Sequence, residues 1–99
     1  MSFVQTIAVR ATDEAAMRDL ITTWHADQHG TAPGYQGARV LANLQQPGEY
    51  LLIVDFSSRE EAERNNSRAE TAAWADQLKT LIAGEPAYAN WRTVADTNA

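Results

Sequence analysis

The two histidines of the chain lie four residues apart, a spacing that can serve metal binding or proton transfer. His25 and His29 are i and i+4 on a predicted helix, where two imidazoles can chelate a metal ion. The intervening residues, Ala26, Asp27 and Gln28, do not form the H-E-x-x-H pattern of zinc enzymes. We therefore predict no metal site. His25 is instead a candidate general base, because imidazole exchanges protons near neutral pH.

Other catalytic classes find no support in the composition or the motifs. The absence of cysteine excludes disulfides, thiolate metal sites and cysteine nucleophiles. No Ser-His-Asp order, phosphate loop or dinucleotide glycine pattern is present. Thirteen acidic against eight basic residues give a net charge of −5, which argues against nucleic acid and anionic membranes as partners. The N-terminal residues lack a signal pattern, and no apolar run is long enough for a membrane span, so we expect a cytoplasmic location.

These residues must be positioned by one small domain of alternating strands and helices. We assign residues 1–95 to that domain and residues 96–99 to a flexible C-terminal tail. The first helix is predicted to begin at an N-cap formed by Thr12 and to end near Gln28. A second begins near Arg59, falters at residues 65–67, resumes through Ile82 and is ended by Gly84 and Pro86. Strands are predicted at Phe3–Ala11, Tyr35–Ala42, Tyr50–Phe56 and Tyr88–Val94.

This order predicts an α+β fold of the ferredoxin-like type, β-α-β-β-α-β, with a four-stranded antiparallel sheet and both helices on one face. The third strand is apolar on both of its faces, with Leu52 and Val54 on one and Leu51 and Ile53 on the other. Such a strand must be covered from both sides. The helices cover one side, so we predict that a second copy covers the other, giving a homodimer.

The chain resembles the antibiotic-biosynthesis-monooxygenase-like domains of the dimeric α+β barrel superfamily from Phe3 to about Val94. The resemblance rests on Gly34-Tyr35 at the start of the second strand and on the segment from Asp55 into Glu60-Glu61-Ala62. It continues through the polar break at residues 65–67 and then Thr71-Ala72-Ala73-Trp74, Leu78 and Leu81-Ile82.

The resemblance implies a pair of ferredoxin-like protomers joined through their sheets, each with a cavity between helices and sheet. It also implies a monooxygenase that oxidises a small planar phenol, quinol or anthrone with dioxygen and without a cofactor. Trp74 would wall the cavity, while Asn66 and Arg92 would hold the substrate oxygens. With His25 as the base, these form our candidate catalytic set. Aromatic walls are expected from Trp24, Tyr88 and Phe56.

Each of these residues also has a purely structural interpretation. Trp74 and Trp24 can be core residues, Asn66 can cap the resumed helix, and Arg92 can lie on a surface or interface. Two functional alternatives stay open: a non-catalytic dimer that binds a small hydrophobic molecule, and a haem-binding or haem-degrading relative. Many relatives carry a histidine where Asn65-Asn66 stands here, and its loss argues against haem, whose iron needs an axial ligand.

Overall fold

A computed structural model describes residues 2–98 of the chain as alternating strands and helices. The elements are β1 (Phe3–Ala11), α1 (Glu14–Gln28), β2 (Tyr35–Ala42), β3 (Glu49–Phe56), α2 (Arg59–Asn66), α3 (Ala69–Leu81) and β4 (Ile82–Arg92). Within these residues the strands form one antiparallel sheet in the order β2-β3-β1-β4. This is the predicted ferredoxin-like α+β arrangement, with the second helix divided into α2 and α3.

The helices cover one face of the sheet and form the core with it. Ile7 pairs with Leu52 across β1 and β3, and both side chains are buried. Met17 and Ile21 of α1 and Leu78 of α3 complete this cluster. Further along the sheet, a second cluster lies under α2 and consists of Ala32, Tyr35, Val54, Phe56 and Ala62. Paired strand residues point to the same face, so the core side of every strand can be read from the register.

The opposite face of the sheet, which we call the open face, carries apolar side chains that the described residues leave uncovered. Register places Leu41, Leu51, Ala8 and Ala87 in one row and Ile53 near Ala89 in the next. Trp91 also lies on this face and is 55% exposed, with its indole N–H donating to Thr6 Oγ1 at 2.8 Å. The pairing of β4 with β1 sets Trp91 on the face opposite Tyr88, Asn90 and Arg92.

Two predicted boundaries are wrong. Asp13, and not Thr12, is the N-cap of α1, because its carboxylate accepts the Ala16 N–H at 3.0 Å. The last strand begins at Ile82, six residues before the predicted Tyr88, so the glycine and proline expected to end the helix lie inside β4. Gly84 there has a φ of +75°, and the register with β1 shifts beside it. A bulge on an edge strand tolerates both glycine and proline, which explains why these residues do not break the strand.

Gly34 allows the loop before β2 to lie against the start of α2. Its φ is +66°, and a Cβ at this position would overlap the Glu61 side chain and come within 2.7 Å of Ser57 Oγ. The Ser57 N–H donates to the Gly34 carbonyl at 2.8 Å, which ties the end of β3 to this loop. Ser58 then caps α2 by accepting the Glu61 N–H at 3.2 Å. Within residues 2–98, no helix is both long and apolar enough to cross a membrane.

Candidate functional site

Trp74 of α3 is partly buried and packs on the main core cluster. Its ring lies 5.9 Å from that of Trp24 on α1, at an interplanar angle of 55°. Both rings line a groove of about 250 Å³ between the two helices. The Trp74 indole Nε1 is buried and has no hydrogen-bond partner among residues 2–98. A buried donor without a partner costs about 1–3 kcal/mol, so this N–H calls for an acceptor that the described residues do not supply.

The buried asparagine of the polar break is Asn65, while its neighbour Asn66 is exposed. Asn65 lies three residues after Ala62 and therefore on the same inward face of α2, whereas Asn66 is turned outward by about 100°. Asn65 is only 4% exposed. Its Oδ1 accepts a hydrogen bond from the Thr71 hydroxyl at 3.2 Å, which joins α2 to α3 one turn before Trp74. The two inward-facing groups, Asn65 and Trp74, are thus linked through Thr71.

Arg68 lies in the connection between α2 and α3 and holds several polar groups together. Its Nη1 donates to Asn65 Oδ1 at 3.3 Å. Its Nη2 donates to Gln28 Oε1 at 2.9 Å and to Glu70 Oε2 at 2.7 Å. The side chain is 17% exposed, so these bonds are more shielded from water than those of the other ion pairs on α2. A hydrogen bond from the backbone, followed by the charge of Arg68, lowers the pKa of the exposed Glu70.

Two predicted residues, Tyr88 and Arg92, lie on the inner face of β4, with Asn90 between them on the same face. Tyr88 pairs with Ile7, which is buried under the helices, yet Tyr88 is 50% exposed. Asn90 Oδ1 is 3.5 Å from Gln5 Nε2, and Arg92, opposite Phe3, is exposed. Partial burial raises the pKa of Tyr88 above its usual 10.0. The helix layer therefore leaves the inner face of this edge strand accessible to a ligand.

His25 lies on the exposed side of α1 and not among these groups. Its Nδ1 is 2.8 Å from the Tyr35 hydroxyl, and its ring centroid lies 4.7 Å from that of His29 at an interplanar angle of 35°. Tyr35 is buried, and this burial, followed by the charge of Asp55, raises its pKa above 10.0. Among residues 2–98, no group of three or more histidine, aspartate or glutamate side chains is placed so that it could hold a metal ion.

Phe56, predicted as a cavity wall, is buried to 1% exposure beneath Tyr35. Trp24 packs against the cluster that contains Phe56 and also against Trp74, so it joins the two ends of the core. The structure brings Trp24 and Trp74 together and adds Asn65, Arg68 and Thr71, which the sequence analysis did not assign. The signal for Asn65 was its spacing from Ala62, which places it on the apolar side of α2.

A larger cavity of about 680 Å³ lies elsewhere, at the end of the sheet where β4 begins. Its lining includes Ala8, Arg10, Leu41 and Leu51 of the open face, and residues 83–85. Among residues 2–98, the buried unpartnered donor belongs to Trp74 and not to this lining. We therefore take the groups around Trp74 as the candidate site and treat the larger cavity as part of the open face.

Comparison with solved structures places this architecture among known folds. One similar structure is SnoaB, a cofactor-independent oxygenase from Streptomyces nogalater, solved with one asparagine replaced by alanine. It is 11% identical to this chain with a TM-score of 0.78, and the match covers 99% of this chain and 98% of SnoaB. The monooxygenase ActVA-Orf6 of Streptomyces coelicolor, solved with nanaomycin D, is 14% identical with a TM-score of 0.78, covering 96% of this chain and 89% of that one. A Caulobacter crescentus structure bearing the name antibiotic biosynthesis monooxygenase is 12% identical with a TM-score of 0.78, covering 95% of this chain and 91% of its own.

The chain has the antibiotic-biosynthesis-monooxygenase-like fold. Identities this low establish the shared fold alone. No protein-family model matches the sequence, and the comparison with curated proteins gives no match. The resemblance expected from the segment around residues 55–74 is thus confirmed at the level of this monooxygenase-like fold.

Proposed function

We propose that this protein binds a small planar aromatic molecule bearing an oxygen atom, such as a phenol, quinol or anthrone, and oxidises it with dioxygen without a cofactor. The observation that carries the proposal is the buried, unpartnered indole N–H of Trp74, one turn from the Thr71 hydroxyl that binds Asn65. An oxygen atom of the substrate would accept from this N–H. SnoaB is named a cofactor-independent oxygenase and ActVA-Orf6 a monooxygenase. Because both share the fold of this chain, their names support the proposal of an oxidation without a cofactor.

For this reaction the protein must bind the substrate and polarise it. In the oxidation of an anthrone, the CH₂ carbon loses two hydrogens and gains one oxygen atom, and the second oxygen atom of O₂ leaves as water. The reaction begins when one C–H proton is removed, which leaves a negative charge on the carbonyl oxygen. Donors aimed at that oxygen stabilise the anion in a site shielded from water, and the electron-rich anion then reduces O₂.

We assign each residue a part in this reaction according to where its side chain lies. Trp74 and Trp24 offer aromatic surface, and Trp74 and Asn65 offer donors. Asn65 takes the place that the sequence analysis gave to Asn66, because Asn65 faces inward. Arg92 stays a candidate for a second substrate oxygen on the accessible inner face of β4. His25 stays the candidate proton acceptor and would act from the solvent-facing side of α1.

The proposal is tested by dioxygen consumption with an anthrone or a hydroquinone, using protein treated with a chelator. Uptake well above the spontaneous rate is expected, with at least tenfold less in Trp74→Phe and Asn65→Leu, since removing one donor to an oxyanion costs about that factor or more. Asn66→Ala is the matched control and should retain activity, because its side chain is exposed. Uptake at the spontaneous rate combined with measurable binding of these compounds would replace the oxygenase proposal by a non-catalytic binding protein.

We further propose that two copies pair through the open face of the sheet. Leu41 and Trp91 are 43% and 55% exposed there, beside Leu51 and Ile53 in the central strand. Sedimentation at micromolar concentration should give twice the mass of one chain, and Ile53→Lys should give a folded monomer because it places a charge in the interface. A single-chain mass for the unmodified protein would refute the pairing.

A further inference from the structure

We infer that the groove between α1 and α3 recognises a single aromatic ring that carries a protonated amino group, and that the Asp27 carboxylate selects this cation. The inference rests on the proposed function, because the ligand is held at the same site. It adds a charged group that the ligand must carry and the residue that recognises it.

Each of the two helices presents one tryptophan and one carboxylate to the groove. On α1, Asp27 lies three residues after Trp24, and on α3, Glu70 lies four residues before Trp74. Side chains three or four residues apart share one face of a helix, so each carboxylate lies one turn from the tryptophan of its own helix. All four side chains belong to residues that line the same groove of about 250 Å³.

The two carboxylates lie toward the same end of the groove. Gln28 Oε1 and Glu70 Oε2 accept hydrogen bonds from the same atom, Arg68 Nη2, at 2.9 and 2.7 Å. Gln28 directly follows Asp27, so this shared contact brings the end of α1 that carries Asp27 close to the start of α3. The groove therefore has an aromatic part, formed by the two tryptophans, and an acidic end.

The acidic end carries a negative charge that the groove itself does not balance. Arg68 pairs with Glu70 but does not line the groove. Asp27 takes part in none of the ion pairs among residues 2–98, and the lining contributed by those residues includes no lysine, arginine or histidine. A cationic group on the ligand is attracted to this end, whereas a carboxylate on the ligand is repelled.

The two tryptophans favour the same kind of ligand. The rings of Trp24 and Trp74 lie 5.9 Å apart with a tilt of 55°, so they form a continuous aromatic surface. An ammonium group near the face of an indole is attracted by the electron density of the ring, and tryptophan gives the strongest such interaction. The groove of about 250 Å³ is smaller than the roughly 300–1,000 Å³ of pockets for drug-sized ligands, which limits the ligand to one ring.

The buried indole N–H of Trp74 requires a second group on this ligand. It has no acceptor among residues 2–98. An ammonium group has donors only and cannot accept from it. The oxygen atom of the proposed function supplies the acceptor, so the ligand that matches the whole groove carries a hydroxyl group and a separate amino group.

The experiment compares probes of matched size by isothermal titration calorimetry at neutral pH. Tyramine carries a phenol and an ammonium group, 4-ethylphenol lacks the amine, and 3-(4-hydroxyphenyl)propanoate has a carboxylate instead. Tyramine should bind about threefold to thirtyfold more tightly than 4-ethylphenol, which is the combined strength of one exposed ion pair and one cation–π contact. The propanoate should bind more weakly than 4-ethylphenol. Added salt should reduce the preference for tyramine and leave the binding of 4-ethylphenol unchanged.

Three variants test whether Asp27 is the source of this preference. Asp27→Asn should lower the tyramine preference about twofold to fivefold, with little change for 4-ethylphenol. Asp27→Glu keeps the charge and should retain most of the preference. Asp19→Asn is the matched control, because it removes the same charge from another exposed position of α1 that does not line the groove, and it should leave the preference unchanged. Circular dichroism of each variant identifies loss of fold.

The outcomes separate this inference from the proposed function. If 4-ethylphenol binds and tyramine binds no more tightly, amine recognition is wrong while the phenol class of ligand stands. If Asp27→Asn changes the preference no more than Asp19→Asn does, the role of Asp27 is wrong. Phenethylamine lacks the hydroxyl group; if it binds as tightly as tyramine, amine recognition stands and the acceptance of a ligand oxygen by Trp74 fails. If none of the four probes binds, both proposals fail.

Discussion

Replacing Trp74 by phenylalanine should weaken ligand binding strongly while changing the stability of the fold very little. The side chain is partly buried against the core, so a simple core residue would lose stability when shortened. Its indole Nε1, however, is buried without a partner among residues 2–98. Phenylalanine keeps an aromatic ring in the same place and removes that donor. The two contributions to stability therefore have opposite signs.

The magnitudes follow from these two contributions. Removing an unsatisfied buried donor gains about 1–3 kcal/mol. The smaller ring loses about 1–2 kcal/mol of packing, a fraction of the 3–5 kcal/mol typical of truncating a buried tryptophan to alanine. The net change in the free energy of unfolding should stay within about 1 kcal/mol in either direction. Binding of a phenolate loses one hydrogen bond to a charged acceptor, about 1.5–3 kcal/mol, and the Kd should rise roughly 10-fold to 150-fold.

Two measurements on the same samples test this reasoning. Urea unfolding followed by circular dichroism gives the stability, and absorbance titration with 4-nitrophenol gives the Kd. Trp24→Phe is the matched control, because the Trp24 ring packs against that of Trp74 at 5.9 Å while its indole N–H is not a buried donor without a partner. It should lose comparable packing and less than about fivefold in affinity. A Trp74→Phe protein that is destabilised by more than about 3 kcal/mol and binds the phenol normally would refute the donor role.

Three further predictions concern the fold around the site. Gly34→Ala should destabilise the protein by about 2–4 kcal/mol in urea unfolding, since it combines a positive φ with overlap against Glu61; an unchanged midpoint would contradict the close approach. Ser58→Ala should cost about 1 kcal/mol by removing the cap of α2, with Ser58→Asp as the variant that retains stability. Burial and then the charge of Asp55 raise the pKa of Tyr35, so the folded state holds this proton more tightly; stability should fall as pH rises above 10.0, and less steeply in Tyr35→Phe, as alkaline urea titrations would show.

The order and type of the elements could be predicted from the sequence because they depend on local patterns. Alternation of apolar residues along Tyr50–Phe56 identified a strand with two apolar faces, and Leu52, Val54 and Phe56 are indeed the buried set. The pairing of β4 with β1 follows the same alternation and sets Trp91 on the face opposite Tyr88. A period of two residues is set by the backbone itself, so it can be read without knowledge of the partners.

The last strand shows where local patterns fail. Gly84 and Pro86 are ordinary signals for the end of a helix, yet they lie inside β4. What overrides them is the pairing with β1, where a register shift accommodates a glycine with a φ of +75°. Such a bulge is stabilised by a neighbouring strand that is more than seventy residues away in sequence.

By itself the sequence determined the strand and helix order, the apolar core faces, and Trp24 and Trp74 as candidate aromatic walls. Only the tertiary structure decided that Asn65 faces inward instead of Asn66, and that Arg68 holds its oxygen. The choice between the two asparagines depends on the phase of a short helix against the sheet, which a shift of one residue changes by about 100°. The role of Arg68 depends on reaching Gln28 across the fold, a contact that no local spacing encodes.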